Sequence, residues 1–256
     1  MNSQKTNNRN IIFLVIVAAL GYFVDIYDLV LFSVVRVKSL TEIGISDADL
    51  KANVIFIINV QMFGFLLGGL IWGIMGDKIG RIKVLFGSIL IYSLANIANG
   101  FVTTVNNYAL IRFIAGIGLA GELGAGITLV TETMDKNKRG YGTMIVAGIG
   151  LLGAAAAATI SENFTWQTSY FVGRAMGLLL LMLRLGTFES SMFKQTATKD
   201  VSRGNFFMLF SDRKRFLKYL YCILIGIPLW FVVGILVTLC RGFGLELTAT
   251  EPLDAG

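Results

Sequence analysis

Acids and bases lying inside otherwise apolar stretches are the residues of this 256-residue chain with types and spacing suited to chemistry. Asp25 and Asp28 interrupt the run Ile11–Val35, while Arg112 and Glu122 interrupt Tyr108–Met134. Three residues apart on a helix means about 60° around its axis, so the two aspartates share one face. A charge at membrane depth costs roughly 2.5–3.5 kcal/mol on insertion scales, so each must face a polar cavity or a partner. Two acids crowded together repel, which favours proton binding by one of them; a structural ion pair with Arg112 or Arg174 is the other reading. Asp25, Asp28 and Glu122 are therefore the candidate proton-coupling residues. Arg112 suits an anionic substrate group or a carboxylate partner, although near the end of its run it is also placed to snorkel to the interface. Tyr22, Phe23, Tyr27, Asn59 and Gln61 are candidates for lining a solute path. Tyr27, Gln61 and Arg112 form the expected substrate-binding set. Aromatic residues in such helices serve equally well as packing.

Composition excludes several alternatives. The chain contains no His, which removes His-ligated metals, Ser-His-Asp triads and imidazole relays. Gly118–Gly126 is not followed by Lys-Ser/Thr, so there is no phosphate-binding P-loop. Cys222 and Cys240 lie in or beside an apolar run and make no disulfide framework. An intramembrane enzyme finds no base or nucleophile motif. The chain is read as a non-enzyme without cofactor or metal.

These residues sit in a chain that is 55% hydrophobic and 15% charged, against about 45–50% and about 25% in a soluble domain. Its mean hydropathy is +0.72. Apolar runs recur at Ile11–Val35, Val54–Met75, Val84–Val102, Tyr108–Met134, Thr143–Ile160, Ser169–Gly186 and Phe216–Cys240, each long enough to cross a hydrocarbon core of about 30 Å. Spanning segments must satisfy their own backbone, and no alternating barrel pattern is present, so seven helices are expected. The first run is too long for the apolar core of a cleavable signal peptide. Glycine pairs at four-residue spacing, Gly64/Gly68 and Gly69/Gly73, and the glycines of the fourth and fifth runs suit close helix approach in lipid.

Lys and Arg concentrate in alternate connections: Lys5 and Arg9; Lys78, Arg81 and Lys83; Lys136, Lys138 and Arg139; and the stretch from Arg184 to Lys218. The others hold only Arg36, Lys38, Lys51 and Arg241. The positive-inside rule then puts the N-terminus in the cytoplasm. The net charge of +6 reads as this orientation signal, so nucleic acid is an unnecessary partner. The expected organisation is a cytoplasmic N-terminus (1–10), a six-helix bundle (11–186), a basic cytoplasmic linker (187–215), a seventh helix (216–240), with Pro228 kinking it, and a polar tail (241–256).

The segment Gly73-Ile-Met-Gly76-Asp77-Lys78-Ile-Gly80-Arg81-Ile-Lys83 lies between the second and third runs. Gly73 permits close packing and Gly80 a tight turn; Asp77 can pair with Arg81, Arg139 or a helix N-terminus. The segment resembles the G-x-x-x-D-(R/K)-x-G-R signature of the major facilitator superfamily. Arg112-x-x-x-Gly116-x-Gly118 and Glu132 with Arg139-Gly140 resemble two further signatures of that family, with Asp135 standing where its proline is usual. Asp25-Ile-Tyr27-Asp28 and Gly121-Glu122-Leu-Gly124 resemble its metabolite:proton symporter branch, which includes proline/betaine, citrate and α-ketoglutarate permeases; there the first motif is commonly Glu-Trp-Tyr-Asp. Arg174 replaces a residue that is usually small.

The resemblance implies an all-α membrane protein: the six-helix N-terminal half of the major facilitator fold plus a seventh helix, with the second half truncated. It implies a secondary transporter moving a small polar metabolite with protons by alternating access. Gly73, Asp77, Lys78, Gly80, Arg81, Glu132, Arg139 and Gly140 would act in conformational gating, Asp77 locking against the second half. The expected partners are a small-molecule substrate, protons, the lipid bilayer, and the missing half or a second chain. The expected location is the plasma (bacterial inner) membrane. A truncated, non-transporting remnant or an interaction module is the alternative.

Overall fold

Inside hydrocarbon an unpaired backbone amide has no water to turn to, and only continuous helices or closed barrels avoid the cost. The computed structural model describes residues 8–186 and 204–232, and the helical solution dominates throughout. Seven α-helices follow in order: α1 (Asn8–Glu42), α2 (Asp47–Ile79), α3 (Arg81–Asn99), α4 (Val105–Thr133), α5 (Arg139–Asn163), α6 (Trp166–Leu183) and α7 (Arg213–Phe231). A 3-10 turn, Arg184–Gly186, extends α6, and another, Phe206–Leu209, precedes α7. The chain forms two compact units: α1–α6 belong to the first, which ends at Gly204, and α7 to the second, which starts at Asn205. Among the described residues, α1 to α5 are long and apolar enough to cross a membrane. The 18 residues of α6 include Arg174 and a polar first turn. The first turns of α7 carry Arg213, Lys214, Arg215 and Lys218, and Pro228 lies inside that helix.

The bundle is held by pairs that approach closely through glycine. The most extensive contacts join α2 to α4, α1 to α5 and α3 to α4. On α2, Gly64 and Gly68 face the backbone of Phe113 and Ile117, while Gly116 of α4 faces the backbone of Gln61 and Phe65. Trp72 Nε1 donates to the Ile117 carbonyl at 2.8 Å across the same seam. Gly153 of α5 lies against the backbone of Phe23 and Tyr27 on α1. Apolar burial drives little association between helices in lipid, so packing of backbone on backbone has to do it. Gly69 and Gly73 lie outside this seam: both are exposed and nothing lies within 4 Å of where a Cβ would sit. The close packing expected at Gly73 is therefore corrected, since four-residue spacing marks a face and only one of the two stripes on α2 meets a neighbour.

The helices also overrun their apolar runs. At 35 residues, α1 is about 52 Å long by its helical rise, well beyond the hydrocarbon thickness. The expected connection across Arg36–Asn53 shrinks to residues 43–46, turned by Gly44 at φ +96°. Charged residues at these ends leave the lipid without leaving the helix, so hydropathy marks the membrane boundary rather than the helix boundary. The signature segment is likewise no loop. α2 runs to Ile79, Gly80 breaks it at φ +104°, and α3 begins at Arg81. Residues 1–7 of the expected N-terminus, 187–203 of the linker, 233–240 of the seventh helix with Cys240, and the tail lie outside the described residues.

Glycine at the α2–α4 seam generates the first prediction. Gly116→Leu should destabilise the bundle by about 2–3 kcal/mol through overpacking, whereas Gly69→Leu should change it by less than about 0.5 kcal/mol. Thermal unfolding in detergent, followed by tryptophan fluorescence, reads both.

Candidate functional site

Arg112 lies at the centre of the bundle with no exposed surface, and Asp28 faces it from α1. Arg112 Nη1 donates to both carboxylate oxygens of Asp28 at 3.3 Å, and Nη2 reaches the Asp28 carbonyl at 3.3 Å. Its Nε donates to Gln61 Oε1 of α2 at 3.2 Å. The guanidinium carbon lies 5.7 Å from the ring centres of Phe32 and Tyr170, a cation–π arrangement on two sides. The expected snorkelling of Arg112 is thus overturned: α1 offers a carboxylate at its own depth, which satisfies the charge without a climb to the interface. Tyr27 is fully buried beside this pair. Its hydroxyl is committed to the Ser169 carbonyl at 2.8 Å, and its ring lies over Gly173. Gln61 Nε2 is buried without a partner.

A second pair lies further along α4. Arg184, just past α6, forms a fork with both oxygens of Glu122, the two residues being 2% and 4% exposed. Arg184 Nη1 also reaches the Leu85 carbonyl of α3. Gly21 makes room for the fork: a Cβ there would lie 2.5 Å from Arg184 Nη2 and against Glu122 Oε1. One turn on from Gly21, Asp25 is 4% exposed, and its Oδ2 is buried without a partner. Asp25 and Glu122 line one narrow crevice with Tyr22 of α1, Gly126 of α4 and Val146 of α5. The expected aspartate pair therefore divides: Asp28 belongs to Arg112, while Asp25 belongs to the Glu122 crevice.

At the α2–α3 junction Arg81 joins three helices. It contacts Glu132 at 2.9 Å, Asp77 at 3.1 Å and the Gly76 carbonyl at 2.7 Å. Arg139 Nε donates to the Met134 carbonyl at 2.9 Å, drawing the start of α5 to the end of α4. Of the remaining signature residues, Lys78 and Gly140 are exposed and Gly80 supplies the break. Asn59 points away from the bundle interior and is exposed, so it lines no path between these helices. Arg174 stacks on Phe171 at 5.6 Å and pairs with neither aspartate.

Two residues at the second pair, Arg184 itself and Gly21 packed against it, are not singled out by the sequence. Arg184 follows Met182-Leu183 at the end of an apolar run and reads as one of the inner cations that set the orientation. The signal that could have found it is the need of Glu122 for a cation at membrane depth. Gly21 carries no charge, and only the fork packed against it reveals its part.

The sequence matches the Major Facilitator Superfamily across residues 12–254. The chain belongs to that superfamily. It is 31% identical over 191 residues to the sialic acid transporter NanX of Escherichia coli (strain K12), covering 72% of this chain and 46% of that protein. It is 30% identical over 187 residues to NiaP of Bacillus subtilis (strain 168), named for niacin/nicotinamide transport, again covering 72% and 46%. The chain spans about half the length of the curated relatives it matches. The bundle resembles the proton:xylose symporter XylE of E. coli at a TM-score of 0.65 and 19% identity, covering 75% of this chain and 48% of that structure, a likeness of fold. These relatives are transporters; the chain is no enzyme, and its fold is that of a multi-pass membrane protein. A non-transporting remnant or interaction module finds no support among them.

A buried charge that loses its partner is costly, which gives the second prediction. Arg184→Met should destabilise the bundle by about 3–5 kcal/mol, and adding Glu122→Leu should restore most of it. Thermal unfolding of the single and double variants measures the recovery.

Proposed function

We propose that this chain provides the proton- and substrate-binding half of a secondary transporter for small organic acids, working by alternating access. The observation that carries the reading is the buried Arg112, held by a single carboxylate that a substrate carboxylate can replace. A guanidinium takes a carboxylate in a two-pronged fork, and in Arg112 those prongs rest on Asp28. A substrate acid that displaces Asp28 leaves that aspartate buried and unpaired, a state relieved when it binds a proton. One negative charge and one proton then arrive together, so the site stays neutral. Phe32 and Tyr170 flank the guanidinium and suit a flat or ring-bearing solute, with Gln61 Nε2 free to donate to it. Niacin and sialic acid, named for the two relatives, are both carboxylic acids, which favours this class.

Asp25 and Glu122 form the second acidic set, with Glu122 held by Arg184 and Asp25 open to protonation. Rocking requires the Arg81–Asp77–Glu132 contacts at the other end of α2 to break and reform, which suits Asp77, Arg81 and Glu132 to gating; Gly73, Lys78, Gly80, Arg139 and Gly140 are assigned to gating by the family resemblance alone. The cavity is completed by helices beyond this bundle, from the same polypeptide or a second chain. We place the protein in a bacterial plasma membrane with its N-terminus cytoplasmic, on the distribution of Lys and Arg.

Calorimetry of nicotinate and sialic acid binding to the chain in lipid nanodiscs tests this. Binding should take up one proton per acid, seen as heats that vary with buffer ionisation enthalpy. Affinity should weaken about tenfold for each unit by which the pH rises, the linkage expected when one proton is taken up per acid bound. Arg112→Ala should weaken binding at least about tenfold, and Asp28→Asn should flatten the pH dependence. Failure to bind either acid, or binding indifferent to both pH and Arg112→Ala, would overturn the proposal.

A further inference from the structure

Helix α3 carries polar side chains where a helix in lipid should be apolar. Tyr92, Ser93, Asn96 and Asn99 are 2%, 1%, 0% and 0% exposed. Ser93 Oγ and Asn99 Oδ1 are buried without a hydrogen-bond partner. Asn99 Nδ2 donates to Asn96 Oδ1 at 3.4 Å, and the Asn96 side chain in turn meets the Tyr92 hydroxyl, so three of the four form a chain. Positions 92, 96 and 99 stack along one helix face, over about 10 Å of rise from Tyr92 to the last residue of α3. Unsatisfied buried polar groups are costly, and bridging water with two to four polar partners is the usual remedy. These side chains place such partners in a row.

The row leads to the aspartates of α1. Tyr92 and Val24, the neighbour of Asp25, belong to one buried cluster. Gly173 of α6 receives both the Tyr27 ring and the Tyr92 hydroxyl, and Tyr27 adjoins Asp28. The more direct way along α1 is closed at this end. Phe32, Tyr108, Trp166 and Tyr170 stack across it, and the hydroxyls of Tyr108 and Tyr170 bond to each other at 2.7 Å.

We infer that the polar face of α3 is a hydrated track that brings protons from the C-terminal end of α3 to the aspartates of α1. The inference rests on the proton-coupled reading above. A proton from bulk water passes along bridging waters oriented by Asn99, Asn96, Ser93 and Tyr92, whose own protonation does not change. It ends as an O–H bond on Asp28, released from Arg112 by the arriving acid. The charged and titratable groups around the α1 aspartates are Arg112, Glu122 and Tyr108 from α4, Tyr170 from α6 with Arg184 beyond it, Tyr92 from α3, and Tyr22 and Tyr27 on α1 itself. From α5 comes Val146, and from α2 the uncharged Gln61.

Radiolytic hydroxyl-radical labelling of the chain in nanodiscs tests for the water without needing transport or any variant. Tyr92 and Tyr170 are both buried, at 2% and 0% exposure, yet Tyr92 should label about tenfold faster because only it adjoins the track. Equal labelling would overturn the track. Stopped-flow with a pH dye then follows the proton taken up with nicotinate. Asn96→Leu should slow that uptake about tenfold more than it weakens equilibrium binding. A variant in which Tyr92 labelling is lost while uptake keeps its rate would overturn proton delivery and leave the coupled reading intact. Wild-type chain that binds nicotinate and takes up no proton would instead sink the coupled reading, and proton delivery with it, whatever the labelling shows.

Discussion

An ionised side chain within a lipid bilayer must find an opposite charge at its own depth, and two such matches organise this bundle. Arg112 on α4 meets Asp28 on α1, and Arg184 beyond α6 meets Glu122 on α4. Each pair ties α4 to a different neighbour. Because α4 also interleaves its backbone with α2 through Gly64, Gly68 and Gly116, it is the common member of the bundle. A shift of α4 along its axis would strand charge in a low-dielectric interior, where the penalty reaches several kcal/mol per ion.

The pairs are unequal in what they permit. Glu122 and Arg184 form a fork packed against Gly21, with no space for a Cβ between them and α1. Arg112 and Asp28 meet at 3.3 Å in a looser contact that shares the guanidinium with Gln61 and the Asp28 carbonyl. The first has the geometry of a fixed strut, the second that of an exchangeable one. With Asp25 included, three carboxylates face two guanidinium groups, and one further positive charge makes the cluster neutral. A proton is the smallest cation that can supply it.

Much of this was legible in the residues themselves. Helix count, the break at Gly80 and the importance of Asp28, Arg112 and Glu122 follow from apolar runs interrupted by charge, since lipid tolerates so few of them. The ends of α1 and α2 were not legible, because a helix may continue into water after its apolar run stops. Gly73 and Gly116 look alike as members of small-residue stripes, and only the neighbouring helix distinguishes them. Arg184 was hidden by its position at the margin of a basic stretch, where abundant solvated cations are expected. The division of Asp25 from Asp28 depends on α4 approaching α1 with an arginine at one level and a glutamate at another, which spacing on α1 alone does not contain.

The central claim is that a substrate acid and a proton exchange places with the Arg112–Asp28 pair. Infrared difference spectroscopy on nicotinate binding observes this directly through the carbonyl stretch of a protonated carboxyl group. The account predicts that such a band appears on binding, vanishes in Asp28→Asn and survives in Asp25→Asn. Nicotinate binding with no new protonated-carboxyl band, or a band that persists in Asp28→Asn, would contradict it.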